Sequence, residues 1–177
     1  MADDFLARAM ERTQAEFAAA HPHPFLLGAA GANLRLGPMP TIRSDDPEVI
    51  AALRKAAVET PGEPLRPHVF GDSRLVLPVR KIQGSFPSMI TVGRTRNNDV
   101  VLADPMISKF HAYFRFADGA WSLADAGSVN GTRIGDTTLP PKGPPTPLQF
   151  GDRVSFGDRV LTFLDAAGTW SALRQRR

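Results

Sequence analysis

The residues best suited to binding chemistry lie in three polar segments that alternate with short apolar runs. An arginine there supplies a planar fork of charged donors, a serine supplies a hydroxyl, a lysine supplies a point charge and an asparagine supplies an amide. Recognition residues tend to lie on loops held by a rigid scaffold, so this arrangement indicates a surface that binds an anion or a peptide backbone. The segments are Gly93-Arg94, Ser108-Lys109-Phe110-His111 and Val129-Asn130-Gly131-Thr132.

These residues do not match the patterns of an enzyme or a metal site. The run that begins Gly93-Arg94 lacks the Gly-x-x-x-x-Gly-Lys-Ser/Thr spacing that cradles nucleotide phosphates. No paired carboxylates and no nucleophile beside a base stand out. His21 and His23 do not predict a metal site, because neither a cysteine nor a carboxylate cluster adjoins them. The sequence therefore predicts a protein without enzyme activity, metal or cofactor.

The composition predicts a soluble cytoplasmic protein. A chain of 177 residues, of which 42% are hydrophobic, suits one globular domain with extensions. The absence of cysteine excludes disulfides and thiolate metal sites and favours a reducing compartment. The start Met1-Ala2-Asp3-Asp4 is unlike a secretory signal, and no apolar run approaches the roughly 20 residues that a membrane span needs.

The net charge of +3 does not indicate a nucleic-acid-binding protein. Such proteins carry a basic stripe, in some folds interleaved with aromatic residues that stack on bases. Here the positive charges are spread thinly along the chain. We therefore expect neither nucleic acid nor a membrane as a partner.

The first residues have the pattern of an amphipathic helix over residues 3–20. Asp3 or Asp4 is suited to cap its first turn, and His21-Pro22 is expected to end it. Its apolar stripe must be buried, either against the neighbouring domain or at an interface with another helix. The stripe consists of Leu6, Met10, Thr13 and Phe17.

The next segment reads as a linker followed by a second helix. Residues 22–44 are rich in glycine and proline, which predicts irregular structure. Asp46 and Pro47 suit the cap and first position of a helix that Pro61-Gly62 would close. We interpret residues 1–64 as a helical extension and a Gly/Pro-rich linker.

From residue 74 the pattern changes to short β-branched or aromatic runs separated by turn residues. Asp118-Gly119 is typical of a hairpin turn, and repeated short strands with such turns predict a β-sandwich over residues 65–168. Residues 140–147 contain five prolines and predict a surface loop, and residues 169–177 a basic tail that is short-helical or frayed. The predicted strands are 74–80, 89–92, 100–102, 112–116, 120–123, 153–156 and 160–164.

The ordered motifs resemble the forkhead-associated (FHA) domain. Gly-Arg, Ser-x-x-His and Asn-Gly each follow a strand-like run, as in that family. Trp121 to Asp125 looks like the strand before the Asn-Gly turn, and Leu148 to Val154 looks like the late Leu-x-x-Gly-Asp segment. The resemblance covers roughly residues 70–165. It implies an all-β, FHA-like antiparallel β-sandwich, to which this chain adds an N-terminal helical extension.

FHA domains bind phosphothreonine peptides. The resemblance therefore implies a binding module or adaptor in Ser/Thr-kinase signalling, with a phosphothreonine-containing protein such as a kinase or its substrate as partner. The alternative is an FHA-like scaffold that does not bind phosphate and acts through its N-terminal helices. Retention of Arg94, Ser108 and Asn130 argues against this alternative.

The resemblance also implies a role for each motif residue. Arg94, Ser108 and Lys109 match positions that contact phosphate in the family, with Ser108 offering a hydroxyl and a backbone N–H. Asn130 matches an asparagine that bonds the main chain of the ligand on either side of the phosphothreonine. His111 matches a structural histidine that braces the Ser108 turn.

Three further positions concern specificity and affinity. Family members often carry Ser or Thr before the Asn-Gly pair, but this chain has Val129, so one hydroxyl contact to phosphate is expected to be missing. The resemblance implies that loops containing Arg96 and Arg133 read the third residue after the phosphothreonine, and these arginines predict a preference for acid there. The residues expected to shape the turns are Gly93, Gly131 and Thr132.

Overall fold

The computed structural model describes residues 11–29, 68–69, 74–82 and 86–175. Two β-sheets enclose the core, and a helix lies at each end of the described chain, which confirms the predicted all-β sandwich with an N-terminal helix. The elements are α1 (Gln14–Ala20), β1 (Phe25–Ala29), β2 (His68–Val69), β3 (Arg74–Pro78), β4 (Ile90–Gly93), β5 (Val100–Val101), β6 (Ala112–Ala117), β7 (Ala120–Asp125), β8 (Thr132–Ile134), β9 (Thr137–Thr138), β10 (Thr146–Leu148), β11 (Arg153–Phe156), β12 (Arg159–Leu164) and α2 (Ala166–Arg174).

The two sheets have seven and five strands. Their orders are β2-β3-β1-β12-β11-β8-β9 and β10-β7-β6-β4-β5. The strand pairs are antiparallel except for β4 and β5, which run parallel with Val92 opposite Val100. This short parallel pair departs from the predicted antiparallel pattern. It arises because the chain folds back between the two strands before β5 begins.

The core lies between the sheets, where side chains from alternate strand positions meet. Leu26 and Phe163 enter from the first sheet and Phe114 and Leu123 from the second, all of them fully buried. The Phe114 and Phe163 rings stack with centroids 5.6 Å apart. Burial of each such side chain stabilises the fold by roughly 1.5–3 kcal/mol. The packed core makes the sandwich a rigid support for its loops.

The N-terminal helix is shorter than the sequence predicts. Thr13 has an extended backbone, and its hydroxyl accepts from the Glu16 N–H while the Glu16 carboxylate accepts from the Thr13 N–H at 2.8 Å. This reciprocal capping box begins α1 at Gln14, so a continuous helix over 3–20 is wrong at Thr13. The helix ends before His21, as expected. Residues 3–10 lie outside the described part of the chain.

The linker prediction for residues 22–44 is wrong at Phe25–Ala29, which form strand β1 inside the larger sheet. This strand pairs with β3 on one side and with β12 on the other. Gly28 belongs there because a Cβ would overlap the Leu161 side chain of β12. The predicted second helix, and the rest of the predicted linker, lie outside the described residues. The domain boundary at residue 65 stays a prediction about which segments fold alone.

The predicted basic tail is mostly part of helix α2. Asp165 caps the helix by accepting from the Gly168 N–H at 2.7 Å. Thr169 and Leu173 are buried, so the predicted boundary at residue 168 cuts through a packed helix. The packed helix was missed because it is short and because the arginines at positions 174, 176 and 177 are typical of a solvated tail.

Helix α2 packs beside α1 and completes a second small core. The Gln14 Nε2 donates to the Ala167 carbonyl and to the Ser171 hydroxyl, and Trp170 Nε1 donates to the Arg12 carbonyl. The apolar side of α1 is therefore covered within this chain. The buried residues of this second cluster are Phe17, Phe25, Val76, Ala166 and Leu173.

The proline-rich loop is also shorter than predicted. Its last residues belong to β10, an edge strand in which Pro147 lies opposite Ser122 of β7. Proline is tolerated on an edge because its missing N–H faces away from the ladder. In the described ranges, no helix is long and apolar enough to cross a membrane.

Candidate functional site

Three loops at one end of the sandwich form an open pocket of about 400 Å³. They connect β4 to β5, β5 to β6, and β7 to β8. The volume falls within the usual range of ligand pockets. Five of the predicted contact residues line it, whereas Arg96 and Arg133 do not. The lining residues are Arg94, Pro105, Met106, Ile107, Ser108, Lys109, Phe110, Val129 and Asn130.

Arg94 is held at the pocket by its backbone and by the glycine before it. Its N–H donates to the Ser108 carbonyl at 3.0 Å, while its side chain is exposed. At Gly93 a Cβ would overlap the Lys109 carbonyl oxygen. Only glycine lets the β4–β5 loop approach the β5–β6 loop this closely, and this approach places Arg94 beside Lys109 in the pocket wall.

Asn98, which lies in the same loop as Arg96, holds the same two loops together. It is buried, and its Nδ2 donates to the Thr95 carbonyl at 2.9 Å and to the Lys109 carbonyl at 2.7 Å. The next residue, Asp99, is also buried and accepts from the Thr91 N–H at 2.8 Å and from Lys81 Nζ at 2.9 Å. Both side chains support the loop from within.

The loop between β5 and β6 is anchored by an ion pair whose carboxylate is buried. The Asp104 carboxylate accepts from Arg159 Nε at 2.6 Å and from the Met106 N–H at 2.8 Å. The Met106 carbonyl in turn accepts from Asn130 Nδ2 at 2.7 Å. These bonds tie the loop to β12 and to the β7–β8 loop. Asp104 and Arg159 are far apart in sequence, and no local signal predicts their pairing.

His111 joins two of the three loops. It is fully buried, accepts from the Ser108 N–H at Nδ1 (3.1 Å) and donates from Nε2 to the Gly131 carbonyl (3.1 Å). Only the neutral tautomer with the proton on Nε2 can make both bonds. Burial lowers the pKa of His111 below its ordinary value, against the opposing effects of Gly131 and Asp125. The neutral imidazole of His111 is therefore the form that holds the two loops together.

We expect His111→Ala to destabilise the fold rather than simply weaken binding. The change removes two hydrogen bonds and the edge contact with Phe156, whose ring centroid lies 5.8 Å away. The expected loss is roughly 2–4 kcal/mol in the free energy of unfolding. Chemical denaturation against the neighbouring exposed Lys109→Ala measures it. A His111→Ala protein that unfolds like the parent yet loses ligand binding would contradict the structural role.

Ser108 connects the pocket to the β7–β8 loop. Its Oγ accepts from the Val129 N–H at 3.1 Å, which leaves the hydroxyl proton free to donate outward. Its own backbone N–H is occupied by His111. The expectation that Ser108 offers both a hydroxyl and a backbone N–H to a ligand is therefore wrong for the backbone group.

Asp125 organises the β7–β8 loop, and sequence reasoning missed it. Its buried carboxylate accepts from the Gly127 and Ser128 N–H groups and from the Ser128 and Thr132 hydroxyls, over 2.6–2.9 Å. Burial raises the pKa of Asp125, but these hydrogen bonds outweigh burial and hold the pKa below its ordinary value. The sequence did carry a signal for this turn, because Asp two residues before Gly is typical of a turn whose backbone N–H is capped by a side chain.

The Asn130-Gly131 turn depends on backbone conformation at the glycine. Gly131 has φ +77°, a left-handed conformation that other residues rarely adopt, and no atom lies within 4 Å of a Cβ built there. Its carbonyl also accepts from the Gly157 N–H at 2.9 Å. Thr132, fully buried, starts β8 from this turn. The turn presents Val129 and Asn130 to the pocket.

The charge of the pocket is positive. Arg94 and Lys109 both line it, and no carboxylate does so among the residues that the structure describes. Arg96 and Arg133 are exposed but lie outside the lining. Their predicted preference for an acidic ligand residue stays a prediction. The pocket thus combines two cations, one hydroxyl and one amide, a set suited to a phosphorylated peptide.

Comparison with known proteins identifies the family that part of this chain matches. Residues 90–157 match the family model described as FHA domain, which confirms the resemblance. The chain is 36% identical over 74 residues to the oxoglutarate dehydrogenase inhibitor of Corynebacterium efficiens, covering 42% of this chain and 49% of that protein. It is 34% identical over 74 residues to the glycogen accumulation regulator GarA of Mycolicibacterium smegmatis, covering 42% and 44%.

A solved structure is also similar to part of this chain. The FHA-2 domain of the Mycobacterium tuberculosis ABC transporter Rv1747 shares 28% identity, with a TM-score of 0.39, over 50% of this chain and 79% of that one. The chain spans about half the length of the curated relatives it matches.

Proposed function

We propose that this chain, whose residues 90–157 match an FHA domain, is a phosphothreonine-peptide binding module and adaptor in Ser/Thr-kinase signalling. One observation carries the proposal. Arg94, Ser108, Lys109 and Asn130 come from three separate loops and line one open pocket. A pocket with two cations and no carboxylate among the described lining residues favours an anionic ligand.

The phosphate is bound by the two cations and the hydroxyl. A phosphothreonine carries about −1.5 to −2 charges and three strong acceptor oxygens at neutral pH. Arg94 can donate two parallel hydrogen bonds to it, and Lys109 adds a point charge. The Ser108 hydroxyl, which already accepts from Val129, donates its proton to a third oxygen. Charge-assisted bonds of this kind are worth about 1.5–3 kcal/mol each.

Asn130 binds the main chain of the peptide. One of its amide protons is bonded to the Met106 carbonyl. The carboxamide keeps a second N–H and its oxygen, which suit the carbonyl and N–H groups of an extended peptide. The bond to Met106 also fixes the orientation of the amide, so less side-chain entropy is lost on binding.

The partner is a phosphothreonine-containing protein, either a Ser/Thr kinase or a kinase substrate. The domain binds and does not catalyse, in line with relatives that are named as an inhibitor and a regulator. We place it in the cytoplasm, because a chain without cysteine forms no disulfides and does not depend on an oxidising compartment. The alternative, a scaffold that acts through N-terminal helices, is disfavoured because Phe17 of α1 is already buried within this chain.

A screen of an oriented phosphothreonine peptide library tests the proposal. We expect enrichment of a sequence preference around phosphothreonine and loss of binding when the same pool is dephosphorylated. A phosphoserine pool tests selection for the γ-methyl group. Equal retention of phosphorylated and dephosphorylated pools would contradict the proposed function.

Val129→Thr is expected to tighten binding several-fold. Val129 lines the pocket and is 87% exposed, so a threonine there fits without strain and adds a hydroxyl near the phosphate. The gain is about 1–2 kcal/mol for a bond to a charged group that partly replaces water. Calorimetry with one peptide measures it, and Val160→Thr, on an exposed valine outside the lining, is the matched control. Unchanged or weaker affinity would show that position 129 does not face the phosphate.

A further inference from the structure

The pocket has an apolar wall that phosphate recognition does not use. Met106 and Phe110 line it with 45% and 39% of their surfaces exposed, and Val129 adds a third exposed apolar side chain. Pro105, also exposed, extends this wall, and Ile107 is buried behind it. A charged ligand group does not need such surface, and exposed apolar patches rimmed by polar groups mark interaction sites.

The fold does not need this exposed surface either. Met106 is held through its backbone, since its N–H donates to Asp104 and its carbonyl accepts from Asn130. The Phe110 ring is 39% exposed and lies near the Tyr113 ring, with centroids 6.4 Å apart. Neither side chain belongs to the two buried clusters of the sandwich. Both are therefore available to a ligand that reaches the pocket.

The two cations determine how a ligand lies across the wall. Arg94 and Lys109 anchor the phosphate, and Lys109 lies directly before Phe110 in the β5–β6 loop. A peptide whose phosphate is bound there places neighbouring side chains within reach of Met106 and Phe110, because consecutive residues of an extended chain are about 3.3 Å apart. A charged or small polar neighbour would leave the wall in contact with water.

We propose that Met106 and Phe110 are specificity-determining residues that select phosphothreonine peptides with a large apolar side chain close to the phosphorylated residue. The inference rests on the proposed function and adds the class of ligand. It differs from the expectation drawn from Arg96 and Arg133, which favoured acidic residues. Burial of one leucine on the wall stabilises the complex enough for about tenfold tighter binding.

The test measures affinity by calorimetry for a set of phosphothreonine peptides in which one leucine replaces serine at each flanking position in turn. We expect one or two positions to give about tenfold tighter binding to the unmodified protein. Met106→Gln and Phe110→Ser should each remove most of that gain, measured on each variant as the ratio of its affinities for the leucine peptide and the all-serine peptide. Phe116→Ser changes a phenylalanine that is more exposed than Phe110 and lies outside the pocket lining, and it should keep the full leucine effect.

The outcomes distinguish a failure of this inference from a failure of the proposed function on which it rests. If no phosphopeptide binds the unmodified protein, the proposed function fails and the inference fails with it. If all peptides bind with phosphate dependence but leucine has no effect at any position, the function stands and the inference is overturned. A leucine effect that survives in both pocket variants would also overturn it. Thermal unfolding of the variants confirms that they are folded.

Discussion

Arg94→Ala is expected to abolish detectable phosphopeptide binding while the protein remains folded. The guanidinium is exposed on the pocket wall, and only the backbone of this residue is bonded to the neighbouring loop, through the Ser108 carbonyl. Loss of two charge-assisted bonds of about 1.5–3 kcal/mol each corresponds to at least a roughly hundredfold loss of affinity. Calorimetry with the strongest library peptide measures this loss, with thermal unfolding as the check on folding.

Arg153→Ala is the matched control for Arg94→Ala. This arginine is also exposed but lies at the start of β11 and does not line the pocket. It removes the same charge from the protein, so it separates local recognition from general attraction of an anion. Equal weakening by the two substitutions would mean that net charge, and not the pocket, binds the phosphopeptide.

Removal of residues 1–64 is expected to unfold the sandwich. The sequence alone predicts the opposite, that residues 65–168 fold without the N-terminal segment. The truncation removes strand β1 from between β3 and β12 and takes Phe17, Phe25 and Leu26 out of buried positions. At roughly 1.5–3 kcal/mol for each side chain, the loss is comparable with the whole stability of a typical domain.

Circular dichroism and thermal unfolding of residues 65–168 beside the full chain test this expectation. A truncated protein that unfolds cooperatively at the same temperature as the full chain would contradict this expectation and support the predicted domain boundary at residue 65. A matched pair of point variants refines the test. Phe25→Ala should destabilise the full chain by about 3–5 kcal/mol, whereas Phe86→Ala, on an exposed phenylalanine, should change stability little.

Four of the strands that carry the pocket, β4 to β7, were predictable from sequence because each has a local signal, whereas β8 was not predicted. In β6, buried and half-buried residues alternate from Ala112 to Arg115, and turn residues close the strand. The Asp118-Gly119 turn has φ values of 53° and 76°, as its composition predicts. The five lining residues named from motifs lie on loops between these strands. Their grouping in one pocket follows from the strand order, which was not predicted from the sequence.

The missed features depend on contacts between distant residues. Strand β1 is a short apolar run beside glycines and prolines, and it becomes a strand because two neighbouring strands pair with it. The Asp104–Arg159 ion pair and the bond from Asn130 to Met106 likewise join separate loops. Very short strands such as β9 carry too few residues for a periodic pattern. Contacts between residues distant in sequence, and not local propensity, determine each of these features.

A nuclear magnetic resonance titration of the full chain tests the central claim most directly. The strongest library peptide is added in phosphorylated form and, separately, in unphosphorylated form, while backbone amide shifts are followed. The proposal predicts saturable shifts at Arg94, Ser108, Lys109 and Asn130 with the phosphopeptide and none with its unphosphorylated twin. Equal shifts with both peptides, or shifts confined to residues outside the pocket such as those of α1, would contradict phosphate-dependent recognition at this site.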